Sequence, residues 1–426
     1  MLSAEYPPRP GGIGDYTRRL GQALVARGQH VLVFTIDDLQ FAIYDLDASA
    51  LDRQSKIVNS NSSWGWRIGR DVRTALQQTR PDILHIQYQT GAYGMHPAIN
   101  FLPWRLRGIQ HRPAVVATAH DLLPPYLFPK AGRLRHWVTR RLLADADAVV
   151  VTNEGDYQRV ARGWGIGDGG WESPTIPHPP SPIPHPLALI PIGSNIAVTP
   201  PDDYDRASWR ARLGIAAGET LLAFFGLISL SKGLETLLDA LAQLPAHFRL
   251  IVIGGAATAP EDRAYADAIR QQIARLGLEQ RLTITGHCAE EEVSAHLLAA
   301  DIAGLPFADG ASFRRGSLLA ALAHGLPVVT TVPANDQGRP MNGDPQTPAR
   351  SLDHSSLVLR PFVDGENVLL VPPGDALALV AAIERLAQDT VLHERLAAGG
   401  RALAAQFGWD AIAAEHEQLY ARLLRQ

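Results

Sequence analysis

Cysteine and lysine are almost missing from this sequence. Its one cysteine, Cys288, cannot close an internal disulfide, and no Cys/His cluster has the spacing of a structural zinc site. No apolar stretch runs unbroken for the roughly 18 residues that a membrane-spanning helix requires. Residues 1–20 also lack the apolar core of a secretory signal, so a cytoplasmic location is expected. Neither sign of charge dominates: 39 basic and 43 acidic residues leave a formal net charge of -4. Nucleic acid is therefore not expected as a partner, although one local basic patch can still meet a phosphate or a lipid head group. The sequence has no Gly-x-Ser-x-Gly elbow, no His-Glu-x-x-His and no clear adjacent carboxylate pair, which counts against hydrolase chemistry.

What is present describes an ordinary globular chain. Hydrophobic residues make up 46% and charged residues 19% of 426 residues, enough to bury a core in each of two sizeable domains. In the first half, short apolar runs at Val31–Phe34, Ile83–Ile86, Ala114–Ala117 and Ala148–Val151 alternate with helical patterns such as Asp15–Arg27. Tyr16, Leu20, Leu24 and Val25 recur there at helical spacing. This is the rhythm of βα units around a mostly parallel sheet. The glycine- and proline-rich stretch at 163–187 interrupts it and reads as an exposed insertion or a binding groove. Leu189–Asn195 then reads as a last strand and turn, with an inter-domain linker near Ile196–Asp205.

A second βα series begins at Leu221–Gly226. It continues through Phe248–Gly255, Leu282–Gly286, Asp301–Pro306, Leu326–Thr330 and Asn367–Val371. Two similar α/β domains are expected to face one another, with the ligand in the cleft between them. Against this pattern, Met1–Tyr6 is a short, poor candidate for the strand that should precede the glycine turn at 10–14, so either the start is misassigned or the first strand is truncated.

Four places carry candidate chemistry. Gly11, Gly12, Ile13 and Gly14, followed by Asp15 and a helix, present backbone N–H groups suited to a phosphate or a sugar hydroxyl, and read equally as a tight turn. Lys232 is one of three lysines against 36 arginines. It lies past the apolar run ending at Gly226 and before Gly233 and a helix; there a compact cation either neutralises a diphosphate or is merely solvated. Segment 310–331 has a polar first third and then an apolar helix. Gly316 and Ser317 can offer N–H groups at its start, with Arg314 and Arg315 as phosphate partners or as a structural pair. His120, with Asp121, follows an expected strand at the carboxyl end of the sheet, where it is either functional or structural.

Taken together and in order, these motifs resemble a family 4 retaining glycosyltransferase (glycosyltransferase group 1) over essentially the whole chain. The resemblance is carried by Glu5–Tyr16 with Gly28–Val31, Asp82–Ile86, Thr118–Asp121, Ile190–Asn195, Gly226–Gly233, Ala323–Val329, Phe362–Asp375 and Phe407–Trp409. It implies the glycosyltransferase-B fold, an α/β arrangement of two Rossmann-like domains facing across a cleft. Residues 1–198 would form the acceptor-binding domain and 199–402 the nucleotide-sugar domain, with 403–426 crossing back to the first.

The resemblance also assigns roles. His120 would lie by the transferred sugar, and Gly11–Asp15 would form the acceptor-side loop. Gly226, Lys232, Gly233, Ser312, Arg314, Arg315, Gly316 and Ser317 would meet the donor. Two departures stand out. Leu227 occupies the position of the family's diphosphate-binding arginine, and Ser312 and Ala320 occupy the positions of its paired glutamates. Arg314 and Arg315 are the available replacements for the missing arginine.

The implied reaction moves a sugar from a nucleotide-diphosphate donor to a glycan, lipid-linked or small-molecule acceptor with retention, without metal or other cofactor. A role in cell-envelope or exopolysaccharide biosynthesis goes with it. The competing reading is a catalytically silent nucleotide-sugar or glycan-binding homologue acting as a partner protein; a phosphorylase or epimerase on a similar fold is a third. Region 126–141 mixes aromatic and basic residues and reads either as a contact with an anionic membrane at its inner face or as core residues among solvated arginines.

Overall fold

The computed structural model describes residues 1–7, 11–37, 40–46, 58–61, 64–122, 133–161, 186–194, 196–255, 260–333 and 361–425. Nearly all of the proline-rich stretch at 163–187, Asn195 and residues 126–132 lie outside these. The described residues form two compact units, one of residues up to Ile192 together with those from Trp409 onward, the other of residues between Gly193 and Gly408.

The first unit is built from strands β1 (Leu2–Ser3), β2 (Leu32–Asp37), β3 (Gln40–Asp45), β4 (Val58–Asn61), β5 (Ile83–Tyr88), β6 (Ala114–Ala119), β7 (Ala148–Val151) and β8 (Leu187–Leu189). Its helices are α1 (Gly12–Ala26), α2 (Ile68–Thr79), α3 (Leu102–Leu106), α4 (Arg133–Asp145) and α5 (Glu154–Ala161). The sheet order is β4-β3-β2-β1-β5-β6-β7-β8. Strands β2 to β8 through β1 run parallel, whereas β3 and β4 extend the edge antiparallel. The parallel strands read as apolar runs because both faces are covered; all four residues of β7 are buried.

Met1–Tyr6 holds a strand after all. Leu2 pairs with both Phe34 of β2 and Ile86 of β5 and Ser3 with Gln87 of β5, so a two-residue strand forms where a longer strand lies on either side. Leu2 and Ser3 are fully buried, and Thr17 of α1 donates to the Ser3 hydroxyl at 3.1 Å. At the other edge, β8 ends at Leu189 rather than continuing towards Asn195, as Pro191 has no N–H to give a ladder.

The second unit holds α6 (Arg206–Arg212), β9 (Thr220–Phe225), α7 (Leu234–Gln243), β10 (Phe248–Ile253), α8 (Pro260–Leu276), β11 (Leu282–Ile284) and α9 (Glu290–Ala299). These are followed by β12 (Ile302–Leu305), α10 (Gly316–Ala323), β13 (Val328–Thr331), β14 (Leu369–Val371), α11 (Ala376–Gln388) and α12 (Thr390–Ala404). All its strand pairs are parallel, in the order β11-β10-β9-β12-β13-β14. The order reverses between β9 and β12, which opens a crevice at their carboxyl ends.

Leu403, Ala404 and Phe407 still belong to the second unit's core, so the chain returns to the first unit at Trp409, later than the expected 403. Helix α13 (Trp409–Leu423) then buries Ile412, Ala413, His416 and Leu419, a one-sided stripe, in the same core as Tyr16, Leu20 and Leu24 of α1. Arg27 ties the pair together at the rim through Glu417 at 2.6 Å and Asp410 at 2.8 Å.

Glycine sets how closely the strand ends of the second unit approach. Gly233 has φ +69°, and a Cβ there would stand 2.0 Å from the Pro306 carbonyl oxygen; Gly254 has φ +126°, and its Cβ would stand 2.3 Å from the Gly226 carbonyl oxygen. Both obstacles are backbone. Gly233→Ala is accordingly expected to cost about 3 kcal/mol or more through combined strain and overlap, read as a lower urea midpoint. An unchanged midpoint would show that the two loops are not packed this closely.

Candidate functional site

The crevice between β9 and β12 collects most of the chemistry that the sequence places in the second unit. After β9 the chain turns at Gly226, makes a short helical turn at Leu230–Lys232 and enters α7 through Gly233. The loop is pinned to the one after β12, where the Ala308 N–H donates to the Ser231 carbonyl at 3.1 Å. Lys232 thereby folds back over its own turn. Its Nζ donates to the Ser317 hydroxyl at 3.3 Å, and a Cβ on Gly226 would stand 3.5 Å from that same Nζ.

Two cations share one aromatic ring here. Lys232 Nζ lies 5.3 Å and the Arg315 guanidinium carbon 4.9 Å from the ring centroid of Phe307, which is fully buried. Arg315 is held further by an ion pair with Asp309 and by the Ser231 hydroxyl at 3.4 Å. Among the described residues no carboxylate lies within ion-pair distance of Lys232. Burial, and then the neighbouring Arg315, bring its pKa down to about 8, with Asp309 acting in the opposite sense. A half-buried cation with no ion-pair partner among the described residues is receptive to an anion.

Helix α10 points its start at the same place. Its N-cap is Arg315, whose side chain makes no capping bond. The carbonyl of Arg315 receives Leu318 and Leu319, and among the described residues the N–H groups of Gly316 and Ser317 have no partner. Lys232, Arg315 and two open N–H groups thus converge, which is a cradle for a phosphate or diphosphate.

Not every candidate joins this group. Ser312 is half-buried and its hydroxyl accepts the Arg314 backbone N–H at 3.3 Å, while the Arg314 side chain is exposed. The segment is fixed by Phe313, stacked between Phe362 at 4.2 Å and Phe407 at 4.7 Å. Ala320 is fully buried in the core and Leu227 is 55% exposed, so neither supplies a polar contact. Phe307 and Asp309 escape sequence reasoning; they sit in an apolar run and a turn, and only the tertiary fold brings Arg315 onto them.

In the first unit, His120 follows β6 and its Nε2 pairs with Gln87 Oε1 at 3.0 Å. Its ring meets Tyr16 edge-on at 4.6 Å, and Tyr16 meets Trp409 at 5.3 Å. Burial, with help from His416, drives the His120 pKa down to about 3, so the imidazole is neutral near pH 7. His416 is held down at about 4 by burial, and His85, between Tyr420 and Thr118 at 2.6 Å each, lies well below its ordinary value for the same reason. His120 is thus a neutral hydrogen-bonding group at the end of the sheet, backed by a buried polar and aromatic cluster.

The glycine turn opens α1 as expected, with Gly12, Ile13, Gly14 and Asp15 in its first turn and Gly11 as N-cap. The sequence did not single out Glu5. Its carboxylate occupies the helix start, accepting the Gly14 N–H, and a Cβ on Gly11 would fall 1.6 Å from Glu5 Oε2. Burial first, and Asp15 next, raise its pKa against the pull of that hydrogen bond.

Because Lys232 must carry its proton to meet an anion, affinity for inorganic pyrophosphate is expected to fall as pH rises through about 8. Binding above that pH takes up a proton, which calorimetry in two buffers of different ionisation heat measures; Lys232→Met abolishes the uptake. Affinity that stays constant between about pH 7 and 9 would contradict the placement of the anion at Lys232.

Known proteins are similar to this chain in sequence and in fold. Residues 11–169 match the family described as "Glycosyl transferase 4-like domain", and residues 219–344 match "Glycosyl transferases group 1". The D-inositol 3-phosphate glycosyltransferase of Xylanimonas cellulosilytica is 30% identical over 56% of this chain, which spans about half (52%) of that relative's length. The phosphatidyl-myo-inositol mannosyltransferase of Mycobacterium leprae is 26% identical over 96% of this chain and 93% of its own. Among solved structures, sucrose-phosphate synthase from Thermosynechococcus elongatus superposes with a TM-score of 0.66 at 23% identity, covering 100% of this chain and 98% of that one. HepE from Anabaena, solved in complex with UDP, gives 0.64 at 19% identity, covering 99% and 98%. With both halves matched in order and the same fold recurring over the full length, the chain belongs to the group 1 glycosyltransferases and has the glycosyltransferase-B fold.

Proposed function

We propose that this protein transfers a sugar from a nucleotide-diphosphate donor to a hydroxyl of a glycan, lipid-linked or small-molecule acceptor, with retention of anomeric configuration. The observation that carries the reading is the pair of cations on Phe307 beside the open start of α10. In the reaction the bond between the anomeric carbon and the β-phosphate oxygen breaks, and its electron pair leaves with the diphosphate. Lys232, Arg315 and the N–H groups of Gly316 and Ser317 take up that charge without reorganising, since they are already in place. The acceptor oxygen then bonds to the anomeric carbon on the face that the diphosphate leaves, and the hydroxyl proton passes to the departing phosphate oxygen. In this reading the protein's own cations stabilise the leaving diphosphate, in keeping with the metal independence that the family resemblance implies.

His120, neutral and held by Gln87, is suited to hydrogen-bond the sugar or the incoming hydroxyl. The Glu5 carboxyl already occupies the start of α1 and accepts the Gly14 N–H, which favours an acceptor that presents hydroxyl groups to the loop over one that presents a phosphate. Relatives named for inositol phosphate and phosphatidylinositol acceptors make a polyol acceptor a natural first choice. A lipid-linked acceptor would be met at an anionic membrane surface. Of the region at 126–141 expected to make that contact, Trp137, Arg140 and Arg141 lie among the described side chains.

One observation favours the silent-homologue reading: Ser312 and Ala320 leave the donor site without the paired acids, and Ala320 is fully buried. Calorimetric titration with UDP, GDP and ADP, followed by incubation of the matching nucleotide sugars with polyol acceptors, separates the two readings. The transferase reading expects one nucleotide to bind, Lys232→Ala to weaken it about tenfold or more, and NMR of the product to show the donor's anomeric configuration. Nucleotide binding with no product from any donor would transfer the weight to a partner protein, and an inverted product would overturn retention.

A further inference from the structure

Among the described residues, the first unit exposes indole rings in one place. Trp66, Trp104 and Trp137 are 55%, 52% and 49% exposed, values unusual for the largest apolar side chain. They are contiguous through their neighbours. The ring of Trp66 lies 5.8 Å from that of Phe101, which lies 5.7 Å from that of Trp137, and Trp104 follows Phe101 by one turn of α3. Val138, beside Trp137, is core; Trp137 is not.

Cationic side chains frame these rings. Arg105 donates to the Trp66 carbonyl at 2.7 Å, Arg73 donates to the Arg105 carbonyl at 3.1 Å, and the Arg141 guanidinium lies 6.0 Å from the Trp137 ring centroid. Segments 66–73, 95–107 and 136–145 hold seven arginines against two acids, Asp71 and Asp145. Both acids are 4% exposed and already paired, Asp71 with Arg70 and Asp145 with Arg107 and Arg141. The outward charge of this face is therefore positive on a chain whose net charge is -4.

We infer that this face, formed by the start of α2, by α3 and by α4, seats the protein on an anionic lipid bilayer. Indole is the side chain that partitions best to the head-group level, where its apolar body is covered while its N–H stays hydrated. Arginines around it reach the lipid phosphates through flexible stems. Contact is peripheral, as no described helix is long and apolar enough to cross a membrane. The inference stands on exposure and charge alone and does not depend on the transferase reading.

Cosedimentation of the full chain with phosphatidylcholine vesicles, with and without phosphatidylglycerol, tests it. Partition is expected only with phosphatidylglycerol and should weaken in high salt. Trp104→Ala and Trp137→Ala are each expected to lower it about tenfold and Arg73→Ala about fivefold, with far-UV circular dichroism and nucleotide affinity unchanged. Brominated lipid should quench the tryptophan emission of the wild type, and less so that of Trp104→Ala. Equal binding to neutral vesicles, or no binding to either, would overturn the proposal. So would self-association in sedimentation equilibrium that Trp104→Ala abolishes, because the face would then cover a second copy.

Discussion

Two positive side chains resting on one buried ring, with no carboxylate within ion-pair distance of Lys232 among the described residues, form the constraint on which the function proposed for the second unit rests. Burial makes the ammonium costly and the neighbouring Arg315 repels it, which together bring the Lys232 pKa down to about 8. The arrangement persists because Phe307 offers its π-face, Ser317 its hydroxyl, and Asp309 holds Arg315 from the far side. In the proposed function an arriving diphosphate relieves the repulsion. The fold supplies the geometry: the reversal of strand order between β9 and β12 opens the crevice, and Gly233 and Gly254 let the loops around it approach to backbone contact.

How much of this was legible in the sequence depended on whether its cause is local. Parallel strands are buried on both faces and so announce themselves as apolar runs; β5, β6, β7, β9 and β10 all sit where such runs predict them. Lys232 stood out through the scarcity of lysine and through Gly233. Strand β1 was not legible, since two residues carry no pattern and its existence is decided by β2 and β5 on either side. The antiparallel pair β3 and β4 was missed as well. Phe307, Asp309 and Glu5 act through partners distant in space or across a turn, and the exposed tryptophans through contacts among α2, α3 and α4. None of these leaves a periodicity to read.

The departures from the family's motif acquire a physical sense in the structure. Leu227 is exposed and contributes nothing to the anion site, but Arg315 on Phe307 places a guanidinium beside Lys232 from a different loop. Ser312 turns its hydroxyl to its own backbone, and Ala320 is core. In the proposed function, stabilisation of the departing diphosphate is thus kept although both acidic positions are lost. In the first unit His120, His416 and His85 are all kept neutral by burial, and the Glu5 carboxyl sits at the helix start with its pKa raised, by burial first.

The most direct test of the account is a crystal structure of the protein with the nucleoside diphosphate it binds. The β-phosphate is expected within about 3.2 Å of Lys232 Nζ and of the Gly316 and Ser317 N–H groups, with Arg315 still over Phe307. A diphosphate found away from Lys232 and the start of α10, with Arg315 unchanged on Asp309, would contradict it.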